Sequence, residues 1–578
     1  MGHRLLVANR GEIALRVIRA CRDLGWQSIA CYATDDESTS HVEAADEAWR
    51  IESEATIPYL DGEAIVALAL RVRATHVHPG YGFLAENGAF ALQCTDHGLI
   101  FVGPPPDAIR TMGDKVAARN AAVAAGVPIL PGTLDPIAST EDAIAWAKSN
   151  GLPVALKAAA GGGGRGFRVA RTIEDLPGAF TSAQSESRRA FGDDRLYVER
   201  YLERPRHVEV QIFADAHGRV VALGDRDCSI QRRHQKLLEE APAPGLSDEL
   251  RLAMAEASIK LAAAVGYTGA GTIEYLVEPD GAFWFLEMNT RIQVEHTVTE
   301  EIFGLDLVRE QLLVSSGCPL SFADQPESRG HAIQMRINAE DPGRDFAPAP
   351  GLVKRFVAPS GPGVRIDSAI RSGDAISDRY DSLIAKLVVW AGDRESAIAR
   401  SKRALGELIV EGVPTTAALH ARILDSAAFG QGDLSTAFLS EQSDVVPAPA
   451  PPATAAEADM PDWSTRVLEV NGRRFQVRLQ AGFDNGFDSP VRPRKSRARH
   501  RHAAHTGDGP SFSSPFQGSV LRIERPAGSA VEAGETVMVI EAMKMENEIT
   551  AHRSGTLVAI SPALGSSVRI GDPLFTIE

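Results

Sequence analysis

Near the end of the chain, four residues recur at a fixed interval of 37 positions. Each copy holds three glycines and one isoleucine, which are Gly518, Gly528, Gly534 and Ile540 in the first copy and Gly555, Gly565, Gly571 and Ile577 in the second. Short alternating stretches separate the glycines, a pattern typical of strands joined by turns. The repeat therefore predicts an all-β domain made of two half-motifs that flank a central hairpin.

A lysine between two methionines lies in that central hairpin. Residues 541–547 read Glu-Ala-Met-Lys-Met-Glu-Asn and include Lys544. A lysine displayed at a hairpin tip suits a carrier domain, because its amine can be acylated and moved between active sites; the alternative is a solvated lysine in a β-rich tail. The segment resembles the biotinyl domain of biotin-dependent carboxylases, whose attachment motif is Ala-Met-Lys-Met. The resemblance implies covalent biotin on Lys544, attached by a biotin protein ligase.

Composition narrows the class of protein. The chain has 578 residues, of which 44% are hydrophobic, which is enough for roughly four packed domains. Its formal net charge of −16 argues against nucleic acid or an anionic membrane as the main partner. The five cysteines form no CxxC pair, so we expect neither a zinc site nor disulfides, and reduced thiols fit a cytoplasmic protein. We expect no signal peptide and no membrane span.

The fold class that we predict is a multidomain α/β and α+β chain. Buried strands and an amphipathic helix alternate from residue 4 onwards, which is typical of βαβ units, and the first turn lacks the GxGxxG pattern of dinucleotide sites. The predicted domains are a βαβ domain at 1–113, a nucleotide-binding domain at 114–325, a mixed domain at 326–445 with a helix at 395–410, a linker at 446–510 and an all-β carrier domain at 511–578.

The predicted linker changes in composition along its length. It begins rich in proline and alanine, and residues 491–505 are strongly basic. Both stretches are typical of a solvated tether, although the basic run is also suited to a partner contact. Between them, residues 466–479 predict a small β-hairpin with an Asn-Gly turn, to which we assign no role.

A predicted hairpin in the second domain carries paired acidic residues. With Asp280-Gly281 as a two-residue turn, Glu274 lies opposite Glu287, and Asn289 follows on the same face. Opposed carboxylates repel unless a cation lies between them, and carboxylate and amide oxygens suit Mg²⁺ or Mn²⁺. The pattern predicts a metal site, with a solvated acidic sheet face as the alternative.

A glycine-rich loop at residues 161–166 lies between two predicted strands of the same domain. Glycines let backbone N–H groups approach phosphate oxygens closely. The loop is not a Walker A motif, because it neither ends in Gly-Lys-Ser/Thr nor opens a helix.

These features, together with residues 289–296 (Asn-Thr-Arg-Ile-Gln-Val-Glu-His), closely resemble the biotin carboxylase branch of the ATP-grasp enzymes. The resemblance includes residues 8–14, 78–84 and 336–341 and spans about residues 4–440. It implies a ligase that uses ATP, Mg²⁺ and bicarbonate to carboxylate biotin.

The same resemblance implies a role for individual residues. ATP phosphates would be contacted by Lys115, Lys157, Gly163 and Gly164, and the nucleotide pocket would be lined by Glu199, Leu202, His207, Gln231 and His234. Bicarbonate would be held by Lys236, Arg291, Gln293 and Val294, whereas Arg336 and Tyr81 would face biotin. Glu295 would be the general base. For His207 and His234, a purely structural hydrogen-bonding role is the alternative.

The segment between the carboxylase core and the carrier is too short for a transferase domain that binds an acyl-CoA. The resemblance therefore implies the α subunit of a hetero-oligomeric acyl-CoA carboxylase, with a separate carboxyltransferase β subunit and acetyl-CoA or propionyl-CoA as acceptor. Three alternatives stay open: a subunit of 3-methylcrotonyl-CoA carboxylase or of a split pyruvate carboxylase, an unrelated ATP-grasp ligase that joins a carboxylate to an amine, and a biotinylated scaffold with an inactive ATP site.

Overall fold

The computed structural model describes residues 2–133, 135–158, 166–322, 326–447, 463–470, 473–480, 510–515, 517–542, 545–569 and 571–578. The chain divides into two compact units, one made of residues 1–342 and 348–447 and the other of residues 343–347 and 448–578. Of the helices within the described ranges, none combines the length and apolar character that crossing a bilayer requires.

The first part of the larger unit is a parallel sheet covered by helices, as the βαβ pattern predicts. Its strands are β1 (Arg4–Val7), β2 (Gln27–Tyr32), β3 (Glu47–Arg50), β4 (His76–His78) and β5 (Ile100–Phe101), and its helices are α1 (Gly11–Asp23), α2 (Ser40–Ala44), α3 (Gly62–Arg71), α4 (Gly88–Asp96) and α5 (Pro106–Gly113). The strand order is β3-β2-β1-β4-β5, and every pairing is parallel. Apolar residues of α1, including Ile13 and Val17, are buried against this sheet.

The next part supplies most of the site. It contains α6 (Lys115–Ala124), α7 (Thr140–Asn150), β6 (Val154–Ala158), β7 (Arg168–Ala170), α8 (Leu176–Phe191), β8 (Leu196–Arg200), β9 (Arg206–Ala214), β10 (Val220–Arg232), β11 (Gln235–Ala241), α9 (Asp248–Ala264), β12 (Gly269–Val277), β13 (Phe283–Asn289), α10 (His296–Phe303) and α11 (Leu307–Ser315). Strands β7-β6-β8 form a small sheet of their own, packed on apolar residues of α7 and α8.

The following residues extend the main sheet. They form β14 (His331–Asn338), β15 (Glu340–Asp341), β16 (Ala347–Pro348), β17 (Gly351–Leu352), β18 (Arg355–Val357), β19 (Val364–Ser368), β20 (Ala375–Ile376), β21 (Leu383–Ala391), α12 (Arg394–Glu407), β22 (Ile409–Glu411), α13 (Ala417–Asp425), α14 (Ala427–Gln431) and α15 (Phe438–Glu441). An eight-stranded sheet has the order β13-β12-β9-β10-β11-β14-β21-β19. One continuous sheet therefore runs through both the second and the third predicted domains.

The prediction of a single helix at 395–410 is wrong at its end. Helix α12 stops at Glu407, and Ile409–Glu411 forms strand β22, which pairs with β18. Ile409 and Val410 are β-branched, so they suit a strand better than a helix.

The hairpin of β12 and β13 has a longer turn than predicted. Glu278 donates its N–H to the Ala282 carbonyl, so three residues rather than two form the connection. A bulge then shifts the register between the pairs Glu274–Glu287 and Tyr275–Phe285. Because the bulge adds one residue to β13, it cancels the longer turn, and the predicted pairing of the two glutamates is confirmed.

The smaller unit contains the repeat. Its strands are β23 (Trp463–Val470), β24 (Arg473–Gln480), β25 (Ser511–Ser513), β26 (Gly518–Ile523), β27 (Ala530–Val531), β28 (Thr536–Ala542), β29 (Met545–Thr550), β30 (Gly555–Ile560), β31 (Ser567–Val568) and β32 (Pro573–Ile577). Strands β23 and β24 form the hairpin that was predicted near 466–479. The others form two four-stranded sheets, β25-β32-β30-β27 and β29-β28-β26-β31, which confirms the all-β carrier fold.

Equivalent glycines of the repeat have equivalent surroundings. A Cβ atom on Gly518 would lie 2.7 Å from Cγ2 of Ile540, and one on Gly555 would lie 2.7 Å from Cγ2 of Ile577. The other two glycine pairs all adopt positive φ angles, where residues with a Cβ are strained. The sequence interval of 37 residues is thus a structural repeat.

Candidate active site

Lys236 on β11 is the centre of the candidate site. Its ammonium group lies 2.5 Å from Glu209, 2.8 Å from Glu274 and 2.8 Å from Glu295. Burial opposes the charge on this lysine, but the three carboxylates outweigh burial and raise its pKa well above the usual value. One permanent cation therefore connects β9, β12 and the start of α10.

Glu295 immediately precedes α10, and its side chain is fully buried. It pairs with Lys236 on one oxygen and with Arg336 at 3.0 Å on the other. Although burial would raise its pKa, Lys236, Arg336 and Arg226 lower the pKa far below the usual range. The group is therefore ionised at neutral pH, which is the protonation state that a general base requires.

Arg336 on β14 is oriented by a second buried carboxylate. Its guanidinium lies 2.5 Å from Glu239 on the neighbouring strand β11, and Gln334 donates to the other oxygen of Glu239 at 3.0 Å. Because planar guanidinium groups are well suited to paired carboxylates, Glu239 and Glu295 together determine where Arg336 points.

The three residues of the predicted metal site lie together. Asn289 donates a hydrogen bond to Glu274 at 2.8 Å, and the Nε2 of His207 lies 2.9 Å from the same carboxylate. Glu274 faces Glu287 across the hairpin. The Glu287 side chain reaches solvent, yet the surrounding protein and the charge of Glu274 raise its pKa, with Lys115 opposing them. A divalent cation would relieve the repulsion between the two carboxylates. The carboxylates and the amide oxygen of Asn289 form a donor set that suits such a cation.

Residues 291–295 form an irregular segment that ends in a turn at Glu295, just before α10. Arg291 donates to Glu86 at 2.9 Å, to Asn289 at 3.0 Å and to Gln293 at 3.1 Å. Gln293 in turn donates to Glu274 at 2.9 Å. Five of the predicted bicarbonate and metal residues are thus one hydrogen-bonded cluster, which consists of Lys236, Glu274, Asn289, Arg291 and Gln293.

The residues predicted around the nucleotide come from α6, the small sheet, strands β9 and β10 of the main sheet and the connections next to these strands. Lys157 forms an ion pair with Glu199, and Arg119 lies 3.1 Å from the same carboxylate. Burial and nearby Lys157 lower the pKa of Lys115, as expected where two lysines share an anion site. The other side chains are Leu202, which is buried and lines a cavity of about 280 Å³, buried Gln231 on β10, and His234, whose ring lies edge-on to Phe167 at 5.8 Å.

Three predicted site residues, Gly163, Gly164 and Lys544, lie outside the described residues. The residues on either side of the Met543-Lys544 pair, Ala542 and Met545, are paired with each other.

Sequence reasoning missed several charged residues beneath the site. Two of them are Glu12 and Lys386, whose charged groups lie 3.0 Å apart. Glu12 also accepts a hydrogen bond from the hydroxyl of Tyr81, which was predicted to face biotin. Glu209 and Glu239 were also missed. The sequence does contain a signal for Lys386, which is the single charged residue of the otherwise apolar strand β21 (Leu-Ile-Ala-Lys-Leu-Val-Val-Trp-Ala). Because a charged side chain is rarely buried without a partner, this pattern indicates a buried ion pair.

Four protein families match the chain, and together they cover most of it. Residues 1–109 match the biotin carboxylase N-terminal domain, and residues 114–323 match the ATP-binding domain of the carbamoyl-phosphate synthase L chain. Residues 334–441 match the biotin carboxylase C-terminal domain, and residues 510–577 match the domain of biotin-requiring enzymes.

Curated relatives and solved structures agree with these families. The biotin-dependent acyl-coenzyme A carboxylase alpha3 subunit of Mycobacterium leprae is 44% identical over 100% of this chain and 98% of its own length. The biotin carboxylase of Nostoc is 50% identical over 76% of this chain and 99% of its own.

The solved structures that are similar to this chain include two carboxylases. One is the biotin carboxylase domain dimer of Hydrogenobacter thermophilus 2-oxoglutarate carboxylase in complex with MgADP, ADP and bicarbonate; it has a TM-score of 0.75 and 44% identity over 78% of this chain and 100% of that one. The other is a biotin carboxylase–nucleotide complex from Campylobacter jejuni, with a TM-score of 0.74 and 43% identity over 76% and 98%.

The fold and the matching families are those of a biotin carboxylase, which is an ATP-grasp C–N ligase, here fused to a biotin-requiring carrier domain. With a relative 44% identical over its whole length, the chain belongs to the family of biotin-dependent acyl-coenzyme A carboxylase α subunits.

Proposed function

We propose that this chain uses MgATP and bicarbonate to carboxylate biotin held on its own Lys544, and that a separate carboxyltransferase β subunit then transfers the carboxyl group to acetyl-CoA or propionyl-CoA. The observation that carries the first step is the contact of Lys236 with Glu209, Glu274 and Glu295. This one cation lies between the proposed metal-binding carboxylate and the proposed base.

Bicarbonate would bind along residues 291–295, where Arg291, Gln293 and Lys236 present donors. Bicarbonate carries one negative charge, so it would compete with Glu295 for Lys236. Glu295 would thereby lose part of the cationic environment that lowers its pKa and become a better proton acceptor. It would remove the bicarbonate proton as a bicarbonate oxygen attacks the γ-phosphoryl group of ATP.

The residues present fit MgATP. Glu274, Glu287 and Asn289 would hold the divalent cation, which when bound supplies positive charge next to the transferring phosphoryl group. Lys115 and Lys157 are a second source of positive charge for the phosphates. Glu199 contacts both Lys157 and Arg119, so one positive charge is left without a carboxylate partner there. A bound phosphate would replace Glu199 as the partner of Lys157.

The residues on the biotin side would stabilise negative charge. Biotin, when bound, supplies the ureido nitrogen that accepts the carboxyl group. Arg336 is held by Glu239 and Glu295 and would stabilise the ureido oxygen as that nitrogen loses its proton. Burial and Glu12 raise the pKa of Tyr81 well above its usual value, so its hydroxyl stays protonated beside this arginine.

Replacing Glu287 with glutamine should raise the Mg²⁺ concentration needed for half-maximal activity by roughly tenfold or more, since one charged ligand is lost. Binding of metal-free ATP should change little or become tighter, because one negative charge near the phosphates is removed. Bicarbonate-dependent ATP hydrolysis measured against Mg²⁺ concentration tests this. Glu256→Gln, on the exposed face of α9, is the matched control, and an unchanged Mg²⁺ requirement in Glu287→Gln would show that Glu287 is not a ligand.

The separate β subunit is supported by the space available. The family matches end at residue 441 and resume at residue 510, and the segment between them is shorter than the commonest domain size of about 100–150 residues. A segment of this composition can act as a tether that keeps the carrier at high local concentration near a bound partner. The five cysteines are free thiols, four of them buried, which fits the proposed cytoplasmic location. A biotin protein ligase would attach the biotin there.

The purified chain alone should carboxylate its own biotin but no acyl-CoA. Labelled bicarbonate should appear on the chain and, only after a carboxyltransferase subunit is added, on acetyl-CoA or propionyl-CoA, with the partner determining which acyl group is used. Scintillation counting of the separated CoA products measures this. Carboxylation of either acyl-CoA by the single chain, free of any partner, would contradict the two-subunit proposal.

A further inference from the structure

Lys386 is a buried cation beneath the candidate site. It lies in the middle of β21, and its side chain is fully buried. Its directly paired residues are Arg336 on β14 and Asp367 on β19. Because directly paired residues project to the same face of a sheet, Lys386 and Arg336 lie side by side under the site.

Two adjacent cations repel each other unless carboxylates separate them. Arg336 uses Glu295 as one partner. Lys386 has its own partners, Glu12 of α1 at 3.0 Å and Asp367 at 3.8 Å. Both cations are therefore paired with carboxylates. Arg336 contacts Glu295, whereas Lys386 contacts Glu12 and Asp367.

Lys386 also contacts the segment that leads to Glu295. It donates to the carbonyl of Val294 at 3.3 Å, and the Nδ1 of His296 lies 2.7 Å from the carbonyl of Gln293. Burial and the charge of Lys386 lower the pKa of His296 well below its usual value. The imidazole is thus neutral, and since a carbonyl can only accept, its proton is on Nδ1.

Two successive peptide groups are thereby fixed. Each peptide is planar with its N–H opposite its carbonyl, so holding the Gln293 and Val294 carbonyls determines the directions of the Val294 and Glu295 N–H groups. Lys386 connects this part of the backbone to the N-terminal domain through Glu12, in addition to the contact that Arg291 makes with Glu86. Since Glu12 also accepts from Tyr81, the connection extends to the proposed biotin side.

We propose that Lys386 is a positioning residue for bicarbonate: by tying the Val294 carbonyl to Glu12, it orients the backbone that receives bicarbonate and that leads into Glu295. This inference rests on the proposed function of residues 291–295. Lys386 touches neither substrate nor biotin in this arrangement, and it acts through Val294.

The test is Lys386→Met in the full-length biotinylated chain, which keeps the length of the side chain and removes the charge. The KM for bicarbonate should rise about tenfold or more, the scale of a lost charged hydrogen bond, while the KM for MgATP should stay within roughly twofold. Bicarbonate-dependent ADP release with added free biotin gives both constants. If Lys386 were only structural, its replacement would lower the melting temperature, but the KM for bicarbonate would not rise more than the KM for MgATP.

Two further variants separate positioning from stability. Arg394→Met breaks an ion pair to another buried carboxylate, Glu240 at 2.7 Å, and should leave the bicarbonate KM unchanged. Glu12→Gln/Lys386→Met leaves no unpaired buried charge at this pair, so it should fold even if the single variant does not, and its bicarbonate KM should stay raised. A normal bicarbonate KM in the double variant would overturn the proposal. Absence of bicarbonate-dependent ATP hydrolysis in the unmodified chain would instead overturn the proposed function itself.

Discussion

Replacing Lys544 with arginine should abolish biotinylation of the chain completely. Lys544 is the one lysine in residues 511–578, and the strands on either side of it are held in register, since Ala542 pairs with Met545. Arginine keeps the positive charge, but its delocalised guanidinium is a poor nucleophile. Intact-mass measurement should show loss of one biotin, and an avidin blot should become blank.

The same variant separates the carrier from the carboxylase. Lys544→Arg should still hydrolyse ATP when free biotin and bicarbonate are added, because the cluster around Lys236 is formed by residues of the other unit. Lys402→Arg, a surface lysine paired with Asp425, is the matched control and should be biotinylated normally. An avidin signal that persists in Lys544→Arg would show that another residue carries the biotin.

The carrier fold was predictable because its repeat has a direct steric cause. Gly518 and Gly555 each face an isoleucine so closely that a Cβ would lie 2.7 Å from it, so the glycines and isoleucines recur together. The parallel sheet at the start was predictable for a similar reason: buried strands and an amphipathic helix have different periodicities. The end of α12 was not, because pairing of Ile409–Glu411 with β18 depends on residues far away in sequence.

The site was predictable where its residues are close in sequence and not where the sheet assembles them. The Glu274–Glu287 pairing follows from one hairpin. The turn is one residue longer than predicted, and a bulge of one residue in β13 restores the predicted pairing. Lys236 was predicted as a bicarbonate ligand, but its position between three carboxylates comes from pairing of distant strands. Lys386 reaches Val294 across 92 positions of sequence, and periodicity carries no information about such contacts.

Replacing Glu295 with glutamine should lower turnover by at least about 100-fold, the usual contribution of a positioned general base. Glutamine keeps the size, but with one acceptor oxygen it can contact only one of Lys236 and Arg336, and it cannot take the bicarbonate proton. Both cations keep other carboxylate partners, which are Glu209 and Glu274 for Lys236 and Glu239 for Arg336. ATP binding should change little. Glu240→Gln, a buried glutamate on β11 that pairs with His331 and Arg394, is the control for loss of a buried charge and should keep turnover within a few-fold.

The pH dependence distinguishes loss of the base from misplacement of Lys236 and Arg336. Carbonate has already lost the proton that the base would remove. Below the pKa of bicarbonate, the fraction present as carbonate rises about tenfold per pH unit. The loss of turnover in Glu295→Gln should therefore shrink by up to about tenfold for each pH unit by which the pH is raised. If glutamine merely misplaced the two cations, the defect would be the same at every pH. Turnover near that of the unmodified chain at neutral pH would show that Glu295 is not the base, and that its buried carboxylate serves to hold Lys236 and Arg336 in place.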